Sequence, residues 1–237
     1  MNIQKSILII TTLLSSLTMC YAQNEVGEFA VVRDADKFVY VRSKPDAKSP
    51  IVDTLQNGFV FFCHQKQGNW MSVEHIENDN FVQGYIYKDR MKLLSSFKPV
   101  KNIATSENTA SFSDSVIKID IAQTDFIKSD HKFTYSKQNP GMVDAVDGKE
   151  MWGTDGNFPK KEYKSVTIKI GNETVRLPKQ ALENLYEPTL DYTSAYYDPA
   201  YDTLYIRAFN SDGAGAYGLV WIIENKKYKT RALAYPF

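Results

Sequence analysis

Nucleophiles, bases and metal ligands are few in this sequence and poorly spaced for catalysis. The cysteines are Cys20 and Cys63 and the histidines His64, His75 and His131, so beyond residue 113 His131 stands alone and there is no cysteine. A Cys–His pair cannot be assembled there, and a catalytic zinc needs three protein ligands beside an open position. Ser129-Asp130-His131-Lys132 satisfies Ser-x-x-Lys, a very short pattern here without companion motifs, and no Gly-x-Ser-x-Gly elbow occurs. The loop from Asp144 to Asp155 fails as a calcium loop, because with Asp144 as the first position the third and fifth are Val146 and Gly148. Asp144, Asp147 and Asp155 keep an atypical hydrolase open as one reading, since paired-carboxylate chemistry depends on a separation in space that a sequence does not carry. The expectation is a non-enzymatic chain with no catalytic residue, no metal and no cofactor.

Recognition is better represented. The chain holds 15 Tyr, 13 Phe and 3 Trp, side chains that serve β-rich cores and exposed binding faces alike. In the first third, Phe38, Tyr40, Trp70, Tyr85 and Tyr87 are candidates to line a groove. Alternation along a strand sends part of such a set inward as barrel filling. Later, Met151-Trp152-Gly153-Thr154-Asp155-Gly156-Asn157 is a glycine-rich loop bearing a large aromatic, with Trp152 and Asp155 as its candidates. Asn210 to Tyr217 is a second, with Ser211, Asp212, Gly213 and Tyr217. Glycines in both allow close approach of a partner; a plain turn with Trp152 tucked into the core is the competing reading.

The elements that position these residues are mostly strands. Strand signals run over Phe29–Arg33, Phe38–Arg42, Ile51–Leu55, Phe59–His64, Trp70–His75 and Gly84–Tyr87, separated by Asp34-Ala35-Asp36, Lys44-Pro45-Asp46, Gln56-Asn57-Gly58 and Gln67-Gly68-Asn69. Such spacing predicts a small barrel or sandwich. Residues 95–113 are polar and patternless and read as a connector. Val116–Ile121 resumes alternation, with Lys132–Tyr135 as its expected partner, and Val166–Ile170 and Thr174–Leu177 flank a Gly171-Asn172-Glu173 turn. One short helix is expected from Pro178 to before Pro188. Thr193–Tyr197, Thr203–Phe209, Tyr217–Glu224 and Tyr228–Ala234 form a meander, and Tyr217–Ile223, apolar on both faces, is a central strand covered on both sides. The predicted class is mainly β, an N-terminal small barrel at 28–94 and a C-terminal β-rich α+β domain at 114–237.

Three signals recur in order in the first domain: Val41-Arg42-Ser43-Lys44-Pro45, Gly68-Asn69-Trp70-Met71-Ser72-Val73 and Gly84-Tyr85-Ile86-Tyr87. Together they resemble a bacterial SH3 domain. Tyr40 stands where family members often place Asn, and Glu77-Asn78-Asp79-Asn80 lengthens a loop. The resemblance implies a small binding barrel of the cell envelope, with peptidoglycan or an envelope protein as partner; the family often accompanies wall hydrolases. The Ser211, Gly213 and Tyr217 loop is similar to the one by which periplasmic lysozyme inhibitors plug the enzyme cleft, although its spacing departs from that pattern. An inhibitor of a lysozyme-type enzyme is therefore the rival expectation.

Acidic and basic residues balance at 28 each with no basic stripe, which argues against nucleic acid as partner. Residues 1–22 read as a signal peptide cleaved near Ala22, giving a secreted or periplasmic protein with no stable membrane span. Lipidation at Cys20 is the alternative, disfavoured because Met19 is not small. Cys63, left unpaired in the processed chain, is expected to be a small buried hydrophobe.

Overall fold

The computed structural model describes residues 27–77 and 80–236; the expected signal peptide and Cys20 lie outside them. The chain is mainly β, as expected. β1 (Glu28–Val32), β2 (Phe38–Arg42), β3 (Ile51–Gln56), β4 (Val60–Gln67), β5 (Trp70–Glu77), β6 (Asn80–Tyr87) and β7 (Met91–Leu93) form one sheet in the order β3-β2-β6-β5-β4-β1-β7. Alternation folds it around Val39, Val41, Leu55, Phe61, Cys63, Val73 and Ile86. Cys63 is buried, and that burial raises its thiol pKa far above the ordinary range. Gly84 lets β6 cross β2: a Cβ there would stand 2.5 Å from Val41 Cγ1 and 2.6 Å from the Arg42 carbonyl.

Residues 95–113 are not a connector. They form β8 (Lys98–Thr105) and β9 (Thr109–Ser113), joined to β10 (Ile117–Asp125) in a second, nine-stranded sheet. Their core-facing side chains reduce to Val100, Ala110 and Phe112, so the outward Lys, Ser and Thr dominate the sequence and hide the alternation. An excursion carries the small sheet of β11 (Phe133–Tyr135), β12 (Val143–Val146) and β13 (Lys149–Glu150) before β14 (Lys161–Ile170) and β15 (Glu173–Arg176). The expected partner of β10 is corrected here: Phe133–Tyr135 pairs with β12, whereas β10 pairs with β9 and β14. Its inward Ile117, Ile119 and Ile121 join the barrel core, beside Ala110 and Phe112 of β9 and Val166, Ile168 and Ile170 of β14.

Helix α1 is a single turn, Lys179–Leu182, shorter than expected. Asn184 and Glu187 adopt positive φ, and hydrogen bonds between Tyr186 and Trp152 and from Glu187 to Lys161 draw the following chain into extended form. Trp221 Nε1 donates to the Ala181 carbonyl at 2.8 Å and Arg231 donates to that of Glu183 at 2.7 Å, satisfying helix-end acceptors. The meander β16 (Thr193–Asp198), β17 (Thr203–Asn210), β18 (Tyr217–Glu224) and β19 (Lys227–Ala234) has the expected order, each strand pairing antiparallel with the next. β15 and β19 approach each other, so the sheet curls into a nearly closed barrel.

β18 is buried along seven successive residues because its two faces look into different cores. Leu219, Trp221 and Ile223 fill the barrel; Val220 and Ile222 point out and pack with Tyr205 and Ala234 against Phe29, Val31, Val60 and Phe62 of the first sheet. β1 and β4 are two-sided in the same way, with Ala30, Val32, Phe61 and Cys63 facing the opposite direction. A buried ion pair, Arg33 Nη2 to Asp198 Oδ2 at 2.9 Å, seals one side of this seam. On the other, Glu74 accepts from Tyr235 N at 2.7 Å. The two sheets thus share a third apolar core.

Candidate ligand-binding groove

The first sheet carries a groove of about 850 Å³ whose floor and walls include Phe38, Tyr40, Trp70 and Tyr87. β2 and β6 run antiparallel with Arg42 opposite Tyr85, so Tyr40 and Tyr87 come next along the same outward faces. Their inward neighbours Val39, Val41 and Ile86 are buried. The aromatics therefore owe their exposure to strand parity: Phe38 and Tyr40 stand edge to face at 5.2 Å, Trp70 and Tyr87 at 5.5 Å. Tyr40 is 40% exposed. Tyr85, half-buried, does not line the groove; its hydroxyl accepts from Gln67 Nε2 at 3.4 Å.

The rim is polar. Asp34, Asp36, Asp89 and Arg90 border the groove, as do Arg42, Pro45, Asp46 and Ala47. Arg90 spans Asp34 and Asp36 at 3.3 and 3.2 Å, and Arg42 Nη1 donates to the Ser49 carbonyl at 2.8 Å. Asp34 and Asn57 exchange two hydrogen bonds that lock the β1–β2 turn against the β3–β4 turn. The sequence marks these acids only as turn formers, and the folded sheet gathers their turns along one groove.

Residues 35–92 match the family model of the bacterial SH3 domain. The match covers β2 to β6 and leaves out β1, which completes the SH3 sheet between β4 and β7. No curated protein and no solved structure matches the chain. The groove lies wholly on the SH3 domain apart from Asp34, one residue ahead of the matched segment.

The two loops singled out beyond the SH3 domain meet each other in space. Gly153, Thr154, Asp155, Ser211 and Asp212 line a cleft of about 620 Å³ together with Phe158 and Tyr192. Ser211 Oγ donates to the Gly153 carbonyl at 2.8 Å, and Gly213 lies 4.0 Å from Asp155 Oδ2 at its would-be Cβ. Trp152 is half-buried against the barrel core, 4.7 Å from Tyr235. Tyr217 is a correction: it is fully buried, donating to the Tyr186 carbonyl at 3.0 Å, and burial raises its pKa well above the ordinary range. A strand residue of this parity faces the barrel interior, so it offers no surface to an enzyme cleft.

His131, Asp147 and Ser129 make contacts within the fold. His131 stacks on Phe126 at 4.4 Å and its Nδ1 sits 2.7 Å from Asp147 Oδ2. A backbone bond from Lys132 and this histidine hold the Asp147 carboxyl below its usual range. Ser129 bonds Asp130 rather than a lysine. Of Asp144, Asp147 and Asp155, only Asp155 lines the second cleft.

Proposed function

We propose that this chain is a non-enzymatic secreted or periplasmic binding protein that recognises a cell-envelope component, peptidoglycan or an envelope protein, through the SH3 groove. The observation that carries this reading is that Phe38, Tyr40, Trp70 and Tyr87 line one groove on the first sheet. Bacterial SH3 domains commonly bind cell-wall material. Tyr and Trp rings provide large contact area with little rotamer entropy to lose, and the rim carboxylates and guanidiniums supply directional bonds. Among the described residues no helix is long and apolar enough to cross a membrane. Export rests on the signal-like residues 1–22.

The test is co-sedimentation of the chain from Gln23 onward with purified sacculi, beside a Tyr40→Ala variant. The whole processed chain is required, because the isolated SH3 domain would expose Phe29, Val31, Val60 and Phe62. Sedimentation that drops about tenfold in the variant, the loss of one well-packed aromatic contact, supports the reading. Sedimentation equal for both proteins, or absent for both, overturns it.

A further inference from the structure

The cleft where the two glycine-bearing loops meet is walled by loops alone. Its lining residues come from three connections, 153–160 ahead of β14, 187–192 ahead of β16 and 211–212 ahead of β18. Hydrogen bonds tie the three together: Ser211 N donates to the Glu187 carbonyl at 3.1 Å, Ser211 Oγ to that of Gly153, and Lys160 N to the Glu187 carboxylate. Ser211 and Glu187 hold φ at +62° and +49°, a region that residues other than glycine seldom adopt. Buried Asn210 fastens Thr189 N through its Oδ1 at 2.9 Å. A smaller cleft of about 380 Å³ shares Pro188 and Thr189 with the first, so the two adjoin. There Gln123 keeps its Oε1 buried with no hydrogen bond among the described residues, as Asn210 does its Nδ2. Unpartnered buried polar atoms of this kind are rare in native folds.

We propose that this joined cleft is a second binding site and that it takes a neutral saccharide chain. Tyr192 lines it and is 67% exposed, a flat ring on which the C–H face of a sugar can lie. Asp155, Asn157, Lys160 and Asp212 are exposed and make no side-chain hydrogen bond or ion pair among the described residues. A carboxylate only accepts, an ammonium only donates and an amide does both. A polyol, whose every hydroxyl donates and accepts, meets all three. Other ligand classes fit worse. Asp155, Glu187 and Asp212 stand against one cation, Lys160, so an anion meets net repulsion, and a polycation leaves Lys160 opposed. A lipid chain finds only Phe158, Pro188 and Tyr192 as large apolar side chains in the larger cleft. An extended peptide finds no strand edge to join, since no lining residue of that cleft belongs to a strand. The inference is independent of the SH3 groove and adds a second point of attachment on the other barrel.

The experiment is calorimetric titration of the full processed chain with cellohexaose, chitohexaose and mannohexaose as neutral probes, hexagalacturonate as the acidic probe and hexalysine as the cationic one. Three proteins are compared: wild type, Tyr192→Ala, and Tyr40→Ala as the control for the SH3 groove. Tyr192 belongs to none of the buried cores, so its truncation preserves the fold, checked by an unchanged unfolding midpoint. The expected result is that wild type binds at least one neutral hexasaccharide with a dissociation constant below about 1 mM. Tyr192→Ala weakens that binding about tenfold, the loss of one aromatic contact, and Tyr40→Ala leaves it unchanged. Hexagalacturonate binds at least about tenfold more weakly than the neutral probe. The saccharide inference is overturned if no neutral hexasaccharide binds, if hexalysine or hexagalacturonate binds more tightly than every neutral probe, or if Tyr192→Ala changes nothing; each of these leaves the SH3 groove reading in place. Binding lost in Tyr40→Ala and kept in Tyr192→Ala assigns the saccharide to the groove and equally overturns the second site.

Discussion

Replacing Asp198 by Ala leaves the Arg33 guanidinium without its counter-charge inside the seam between the two sheets. The side chains are 7% and 5% exposed, with Nη2 and Nε 2.9 and 3.3 Å from Oδ2. Arg33 keeps Tyr205 Oη at 2.9 Å, the Val32 carbonyl at 3.1 Å and the Tyr201 ring 4.0 Å from Cζ. Breaking a buried pair from one side costs about 3–5 kcal/mol, and the surviving contacts of Arg33 put Asp198→Ala near about 3 kcal/mol. Arg33→Ala removes the same pair and the packed stem over Tyr201, for about 4 kcal/mol. The double variant Arg33→Met with Asp198→Leu removes both charges and refills the space, so its loss is below about 2 kcal/mol. Urea unfolding followed by Trp and Tyr fluorescence reads these as midpoint shifts of about 1–2 M for the single variants at typical slopes. The signature is non-additivity: the double variant is more stable than either single. Single losses under about 1 kcal/mol, or a double loss near the sum of the singles, would refute the claim that this pair is desolvated and coupled.

Three further outcomes follow from the same contacts. Gly153→Ala is strongly destabilising, by more than about 2 kcal/mol, because φ is +110° and an added Cβ collides with the Tyr186 carbonyl; thermal unfolding measures the loss, and a shift of under 1 °C contradicts it. Asp147 has a lowered folded pKa, caused first by the Lys132 backbone bond and then by His131, so its contribution is present above the unfolded carboxylate value and is lost as pH falls through the folded one. Acid titration of stability below about pH 4 is accordingly shallower in Asp147→Asn than in wild type, and parallel curves contradict the linkage. Cys63, with its pKa raised by burial and by nearby Glu28, reacts with a thiol reagent at pH 8 at least about a hundredfold more slowly in the native protein than in urea; equal rates contradict its burial.

Much of the fold was legible because periodicity and turn chemistry are local. The six SH3 strand signals, the Gly171 turn and the four-stranded meander are carried by residues within a few positions of one another, and each appears where the spacing puts it. β8 and β9 were missed because a strand that buries only Val100, or Ala110 and Phe112, leaves too few apolar positions to show a period. α1 stops after one turn because Trp152 and Lys161, distant in sequence, compete for the backbone that continued helix would have used.

The same division holds at the sites. Strand alternation by itself indicated that part of the aromatic set faces out of the SH3 sheet and left open which part, and the run Tyr217–Ile223 by itself indicated a strand covered on both faces. What covers it was decided only in three dimensions: Val220 and Ile222 meet Phe62 and Val31 from a sheet more than 150 residues earlier, and nothing local encodes that pairing. Tyr217 illustrates the limit most directly. Its loop places it beside Ser211 and Gly213 in sequence, yet the first position of β18 points into the barrel, where the Tyr186 carbonyl takes its hydroxyl. Side-chain direction at a loop–strand junction depends on which sheet face becomes interior, and the closure of β15 toward β19 fixes that face.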